Sequence, residues 1–267
     1  MADQIDFTSP ERLNDLAGKV RQIILDTGHF LAESTLSSVQ QKEGHANFVT
    51  DMDVKVQEML VKALTPLVPD AAFLLEESDA KPDITEYAWI IDPIDGTQNF
   101  INGYRLSAIS VGFVHGHDGL IGMVYNPFMD ELFMGVKGQG ATLNGDPIQA
   151  SDKPMEKAII SIGTSPYYEE LHAKSAATLA ALYSLCADFR RTGSAALDLC
   201  YIACARQDGY FEYRLCPWDY AGASVILKEA GGKISQIGQT DWDYTRSCGI
   251  AAGNPRIFSN FLSIVDR

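Results

Sequence analysis

Residues 89–100 read Trp89-Ile90-Ile91-Asp92-Pro93-Ile94-Asp95-Gly96-Thr97-Gln98-Asn99-Phe100. An apolar strand that stops abruptly on two acids puts carboxylates at the carboxyl edge of a sheet, where α/β proteins gather their sites. Pro93 interrupts the strand alternation, so Asp92 and Asp95 need not point to opposite faces. Gly96 and Thr97 then open a helix with backbone N–H groups that lack partners within it, a place suited to an anionic oxygen. Hard oxygen ligands beside an anion cradle point to Mg²⁺ and phosphate together. The alternative is an ordinary turn, but at residue frequencies of about 5–7% the string Asp-Pro-x-Asp-Gly-Thr arises by chance in such a chain with a probability on the order of 10⁻⁴.

Three further acidic clusters gain weight from the first. Glu76-Glu77-Ser78 closes the short apolar run Phe73-Leu74-Leu75, a second strand that ends in carboxylates. Asp219 follows Cys216-Pro217-Trp218 on the first turn of a helix that Gly231-Gly232 stops. Thr50 and Asp53 have the spacing of a capping box. Val49-Thr50-Asp51-Met52-Asp53 does not start an EF-hand, because Lys55, Val56 and Lys62 stand where that loop needs oxygen ligands or glycine.

The chain has 267 residues, of which 46% are hydrophobic, enough for a sizeable core and against disorder. With 21 basic and 35 acidic residues the formal charge is −14, which argues against nucleic acid or an anionic membrane surface as main partner unless metal ions reverse the local field. No apolar run reaches membrane-spanning length, and Met1-Ala2-Asp3-Gln4-Ile5-Asp6 lacks signal-peptide character, so a cytoplasmic protein is expected. Five cysteines without framework spacing read as free thiols.

The first part, 1–150, reads as α+β. Ser9-Pro10 opens a long amphipathic helix and a second helix follows Thr50. Strands are expected at Ala72–Glu76 and Ala88–Ile91, then a meander over Ser107–Val114, Leu120–Tyr125 and Glu131–Gly135, with turns at Asp118-Gly119 and Asn144-Gly145. The second part, 151–267, alternates strand and helix: a strand at Ala158–Gly163, a helix capped by Ser165-Pro166, a helix from Ala195 to about Ala205, a strand at Tyr210–Tyr213, and a helix from Pro217 to about Ala230. A strand at Ile250–Ala252 and a last helix after Asn254-Pro255 complete it.

On these residues the chain resembles the inositol monophosphatase family, a branch of the lithium-sensitive sugar phosphatases. Trp89–Phe100 matches the first family signature, and Trp218-Asp219-Tyr220-Ala221-Gly222-Ala223 running to Glu229-Ala230-Gly231-Gly232 matches the second. Glu76-Glu77-Ser78 and Asp53 fit the family's other acids, with Leu75 where glycine is usual.

The resemblance implies a layered αβαβα sandwich, a homodimer, and two or three Mg²⁺ ions held by Glu76, Asp92, the Ile94 carbonyl, Asp95 and Asp219, with Glu77 contributing. It implies a water oriented by Thr97 and Glu76, with Asp53 accepting from Thr97, and phosphate oxygens held at Asp95, Gly96 and Thr97. It also implies substrate contacts at Thr164, Gly193, Ser194, Ala195, Ala196 and Glu212. Lys42 matches a family lysine near the metal and water network, while its setting is equally that of an exposed loop. Arg105 and Arg214 depart from the family pattern, and a second anionic group on the substrate would account for them. The implied activity is Mg²⁺-dependent hydrolysis of a small polyol or sugar phosphate, inositol monophosphate foremost. The alternatives are histidinol phosphate, fructose 1,6-bisphosphate, a 3′-phosphonucleotide, or a catalytically silent metal-binding scaffold.

Overall fold

The computed structural model describes residue 7 and residues 9–34, 38–41, 48–80 and 82–267. In chain order the elements are α1 (Pro10–Glu33), β1 (Val39–Gln41), β2 (Phe48–Thr50), α2 (Asp51–Leu64), β3 (Ala72–Leu75), β4 (Tyr87–Asp95) and α3 (Thr97–Ile101). Then come β5 (Ala108–His115), β6 (Asp118–Asn126), β7 (Glu131–Val136), β8 (Gly140–Leu143) and β9 (Asp146–Ile148). The remainder is β10 (Ile159–Ile162), α4 (Glu169–Leu182), β11 (Asp188–Arg190), α5 (Ala195–Ala203), β12 (Gly209–Leu215), α6 (Pro217–Glu229), β13 (Lys233–Gln236), β14 (Cys248–Gly253) and α7 (Phe258–Val265).

Strands β3 to β9 form a seven-stranded sheet in sequential order, antiparallel except for the parallel pair β3 and β4. A separate five-stranded sheet runs β11-β10-β12-β14-β13, its first three strands parallel and β14 antiparallel to both neighbours. Alternation along β4 divides its side chains between two cores. Trp89 and Ile91 pack under α1 and α2, whereas Ala88 and Ile90 join α5 and α6 on the other face. Those two helices also receive Tyr210, Ile250 and Ala252 from the five-stranded sheet, whose outer face packs Phe211 and Tyr213 with α4 and α7. The result is helix, sheet, helix, sheet, helix: the αβαβα sandwich.

One close approach fixes where α6 lies. Gly112, Gly122 and Gly135 are register partners across β5, β6 and β7, a row of bare backbone on the face toward α6. A Cβ on Gly122 would come within 2.0 Å of the Gly222 carbonyl, and one on Gly135 within 2.7 Å of Ile226 Cα. The helix therefore rests directly on the sheet backbone, and its first turn is carried with it to the sheet's edge.

Several local expectations change. The strand through residue 89 does not stop at Ile91 but continues across Pro93 to Asp95, with its register to β5 shifting between Asp92 and Asp95. The hairpin turn after β5 is Gly116-His117, since His115 pairs with Asp118 and Gly116 takes φ 57°. Gly119 lies instead within β6, where a Cβ would meet Val225 Cγ2 at 2.5 Å. Ser165 does not cap α4, which begins at Glu169 after Tyr168. It takes φ 42° and turns its N–H toward Glu212. All five cysteines are free thiols.

Candidate active site

The site is built where chain segments end on opposing layers. β3 and β4 are parallel with Leu75 beside Ile91, and the Glu76 N–H donates to the Ile91 carbonyl at 3.3 Å, so Glu76 and Asp92 leave the sheet side by side. Asp92 closes an Asx turn, its Oδ1 accepting from Ile94 N–H at 2.9 Å. Asp95, at the end of the same strand, reaches across to the five-stranded half: Oδ2 accepts from the Ser194 hydroxyl and, at 2.8 Å, from the Ala196 N–H at the start of α5. Asp219 sits at the third position of α6, where Oδ2 accepts from Cys216 N–H at 2.6 Å.

Glu76, Asp92, Ile94, Asp95, Gly96, Thr97, Gly193, Ser194, Ala195, Glu212, Arg214 and Asp219 line a single cavity of about 630 Å³. Sequence position spreads these residues over most of the chain, and the layered packing brings them together.

Burial and mutual repulsion dominate the electrostatics. Burial raises the Asp92 carboxyl well above its ordinary range, and the charges of Glu76, Asp95 and Asp219 push it further. Burial raises Asp219 likewise, with Asp95 and Glu76 adding to it. Burial pushes Asp95 up to about 6 even though Ser194, Ala196 and Ala195 stabilise its ionised form. Acids packed this closely hold protons or recruit cations.

Among the described residues, no three acids, histidines or cysteines already converge as a finished coordination cage. The oxygens named above are held by backbone N–H and hydroxyl groups of the protein. The donor set itself, four carboxylates and the Ile94 carbonyl around one cavity with their negative charges mutually unfavourable, fits a hard divalent cation.

The remaining expected residues divide. Thr97 lines the cavity, but its hydroxyl donates to the Ile94 carbonyl at 3.1 Å rather than to Asp53. Asp53 is fully buried outside the cavity wall and completes the α2 capping box, accepting from Thr50 N–H at 2.7 Å and from the Thr50 hydroxyl at 2.6 Å. The expected Asp53 to Thr97 bond is thus replaced by two local ones. Glu77 also stands off the cavity wall, its backbone clamped to α2 by Gln57, whose Oε1 accepts from Glu77 N–H and whose Nε2 donates to the Glu77 carbonyl. Ala196 contributes its N–H to Asp95, and Thr164 Oγ1 accepts from Arg191 Nη2 at 3.3 Å. Lys42 lies outside the described residues.

Glu212 is buried among neutral donors: Oε1 accepts from Ser165 N–H at 2.7 Å and Oε2 from the Tyr210 hydroxyl at 2.7 Å. Burial raises its pKa, while these bonds and the charge of Arg191 oppose the rise. Gly163 makes room for it, since a Cβ there would fall 2.0 Å from Oε2.

Among the wall residues that the sequence does not single out, four carry polar groups of note. Tyr167, Tyr168, Arg191 and Asp198 line the cavity, Asp198 from a buried position. Asp198 accepts from Ser161 Oγ at 2.6 Å, Thr192 Oγ1 at 2.7 Å and Gln207 Nε2 at 3.1 Å, and burial pushes it up to about 7. The pair Arg190-Arg191, set just before Gly193-Ser194 in an acidic chain, was the available signal. Nothing comparable marks the tyrosines.

Comparison with known proteins agrees with this geometry. The family model described as the inositol monophosphatase family matches residues 12–266. Nus factor SuhB of Vibrio cholerae is 38% identical over 219 residues, covering 80% of this chain and 81% of that protein. Nus factor SuhB of Escherichia coli is 35% identical over 225 residues, covering 83% and 84%. Among solved structures, the inositol monophosphatase of Anabaena superposes with a TM-score of 0.82 at 31% identity, covering 95% of this chain and 96% of that one. The IMPase of Thermotoga maritima superposes with a TM-score of 0.83 at 28% identity, covering 95% and 97%.

Proposed function

The chain belongs to the inositol monophosphatase family, and from that premise we propose that it is a Mg²⁺-dependent phosphomonoesterase acting on a small polyol or sugar phosphate, inositol monophosphate first among them. The observation that carries the reading is the meeting of Glu76, Asp92, Asp95 and Asp219 at one cavity, where burial raises the pKa of all three aspartates and repulsion from the other acids of the set adds to the rise at Asp92 and Asp219. A structural role would favour pairing such acids with Lys or Arg, and among the described residues Asp92, Asp95 and Asp219 form no ion pair.

The four carboxylates and the Ile94 carbonyl would hold Mg²⁺. Bound there, the metal supplies Lewis-acid stabilisation of phosphoryl charge and lowers the pKa of water.

The chain's own groups do the rest. The N–H groups that open α3 at Gly96 and Thr97 orient phosphate oxygens. Glu76 accepts the proton of the attacking water. As water adds to phosphorus, the ester P–O bond breaks on the opposite side, the leaving alkoxide takes a proton from solvent water, and Glu76 returns its own proton to solvent. Thr97, hydrogen-bonded to Ile94, orients that water from the cavity wall. Glu212 and the Gly193–Ala196 segment receive the hydroxyls of the leaving alcohol.

Phosphate release by the purified protein with Mg²⁺, across inositol, sugar, nucleotide and histidinol phosphates, tests the reading and ranks the substrates. Undiminished turnover in chelator would overturn it. The similar bacterial proteins bear the name Nus factor, so the proposal excludes no macromolecular partner. Among the described residues, no helix is long and apolar enough to cross a membrane.

A further inference from the structure

The cavity has two unlike walls. One carries the four acids, and the other carries two guanidinium groups. Arg191 precedes α5 and spans the loop where the polyol would dock: its Nη2 donates to Thr164 Oγ1, and a Cβ on Gly193 would lie only 2.8 Å from its Nη1. Arg214 is two residues beyond Glu212 on β12, where the register to β14 shifts, and its guanidinium lies over the Tyr168 ring at 5.1 Å from the centroid. Both side chains are exposed and both line the cavity.

Neighbouring arginines are neutralised, Arg190 by Asp188 and Arg206 by Glu131. Among the described residues, Arg191 and Arg214 have no carboxylate within the 4.0 Å of an ion pair. Glu212 feels the charge of Arg191 but makes no ion pair with it, its oxygens already accepting from hydroxyl and N–H donors. Stacking on an aromatic face and a hydrogen bond to a neighbour hold the two forks in place without consuming their charge. A cavity of about 630 Å³ also has room for more than one phosphoryl group and a ring.

We propose that Arg191 and Arg214 form a second anion subsite, so that the preferred substrate is a phosphomonoester carrying another anionic group on the same small carbon skeleton. The inference rests on the phosphatase reading and narrows its substrate class. The hydrolysed phosphate sits on the acid wall, and the second group, phosphate or carboxylate, accepts fork hydrogen bonds from the arginine wall.

The test uses near-isosteric pairs. Fructose 1,6-bisphosphate is compared with fructose 1-phosphate, and 2-phosphoglycerate with glycerol 2-phosphate, so the two pairs distinguish a second phosphate from a carboxylate. In the wild type with Mg²⁺, kcat/KM for the doubly anionic member of at least one pair should exceed that of its partner by about tenfold or more. In the R191Q/R214Q double variant that ratio should collapse toward one, with R191K/R214K recovering part of it. A wild-type ratio near one in both pairs overturns the subsite while leaving monoester hydrolysis, and with it the phosphatase reading, intact. An unchanged ratio in the double variant also overturns it. Absence of hydrolysis of all four esters while inositol monophosphate is turned over overturns this inference alone, and absence of hydrolysis of inositol monophosphate as well overturns the phosphatase reading and this inference with it.

Discussion

The seven-stranded and five-stranded sheets contribute to the cavity in different ways. The first delivers Glu76, Asp92 and Asp95 on backbone ends, with little freedom: β4 is buried along nearly its whole length, and Asp92 and Asp95 are 2% and 7% exposed. The second delivers Glu212, Arg214 and the segment leading into α5, where side chains are longer and more exposed and rest on neutral partners. On the proposed function, groups that must meet reacting atoms come from rigid strand ends, and groups that choose among substrates come from the more adjustable wall. Changes on the first sheet should therefore depress all substrates alike, and changes on the second should discriminate between them.

The largest expected effect lies on the first sheet. Asp95→Asn or Asp92→Asn removes a charged oxygen donor and should cost about 1,000-fold or more in kcat/KM on every ester at saturating Mg²⁺. A substrate-selective loss measured by phosphate release would break the division. Thr97→Ala comes next. It should lower kcat by about 100-fold with KM nearly unchanged, whatever the ester, because the hydroxyl acts on the attacking water. An effect confined to KM would assign Thr97 to substrate binding.

On the second sheet, Glu212→Gln should reduce turnover of an inositol phosphate by about tenfold while leaving an aryl phosphate without hydroxyls much less affected. Equal losses on both would make Glu212 a structural support for Ser165 and Tyr210.

The smallest effect concerns stability. Asp198 titrates near 7 when folded and at an ordinary 3.8 when exposed, so the folded state holds its proton more tightly. Its favourable contribution is present at low pH and is lost as pH rises from about 4 through about 7. Asp198→Asn, which resembles the protonated form, should flatten the decline of unfolding free energy across that window, measured by denaturant titration in chelator. Parallel slopes for the two proteins would refute the assignment.

The acid wall was the more legible of the two. Short-range spacing names Asp92 and Asp95, because a strand end is a local feature whose chemistry shows in neighbouring residues, whereas Asp219, legible alone only as an acid on a helix first turn, joins them through the family likeness. The αβαβα layering came from family likeness, since alternation alone does not say which sheet faces which helix. Arg191, Tyr167 and Asp198 were missed because only tertiary packing brings them to the cavity. Ser165-Pro166 looked like a helix start, and local sequence carries no trace of the buried Glu212 that claims the Ser165 N–H instead. Asp53 shows the opposite error. Its capping geometry was legible, and its local bonds to Thr50 replace the expected one to Thr97.

The glycine row on β5, β6 and β7 has a temporal consequence. Asp219 reaches the cavity only when α6 settles on that row, and α6 emerges from the ribosome long after β4. At roughly 5–20 residues per second, the nascent chain spends several seconds with Glu76, Asp92 and Asp95 made but the fourth acid absent. On the proposed function, the growing polypeptide should be inert toward phosphate esters until the docking of a single helix switches it on, and a truncated product that stops before α6 should carry most of the acids and none of the activity.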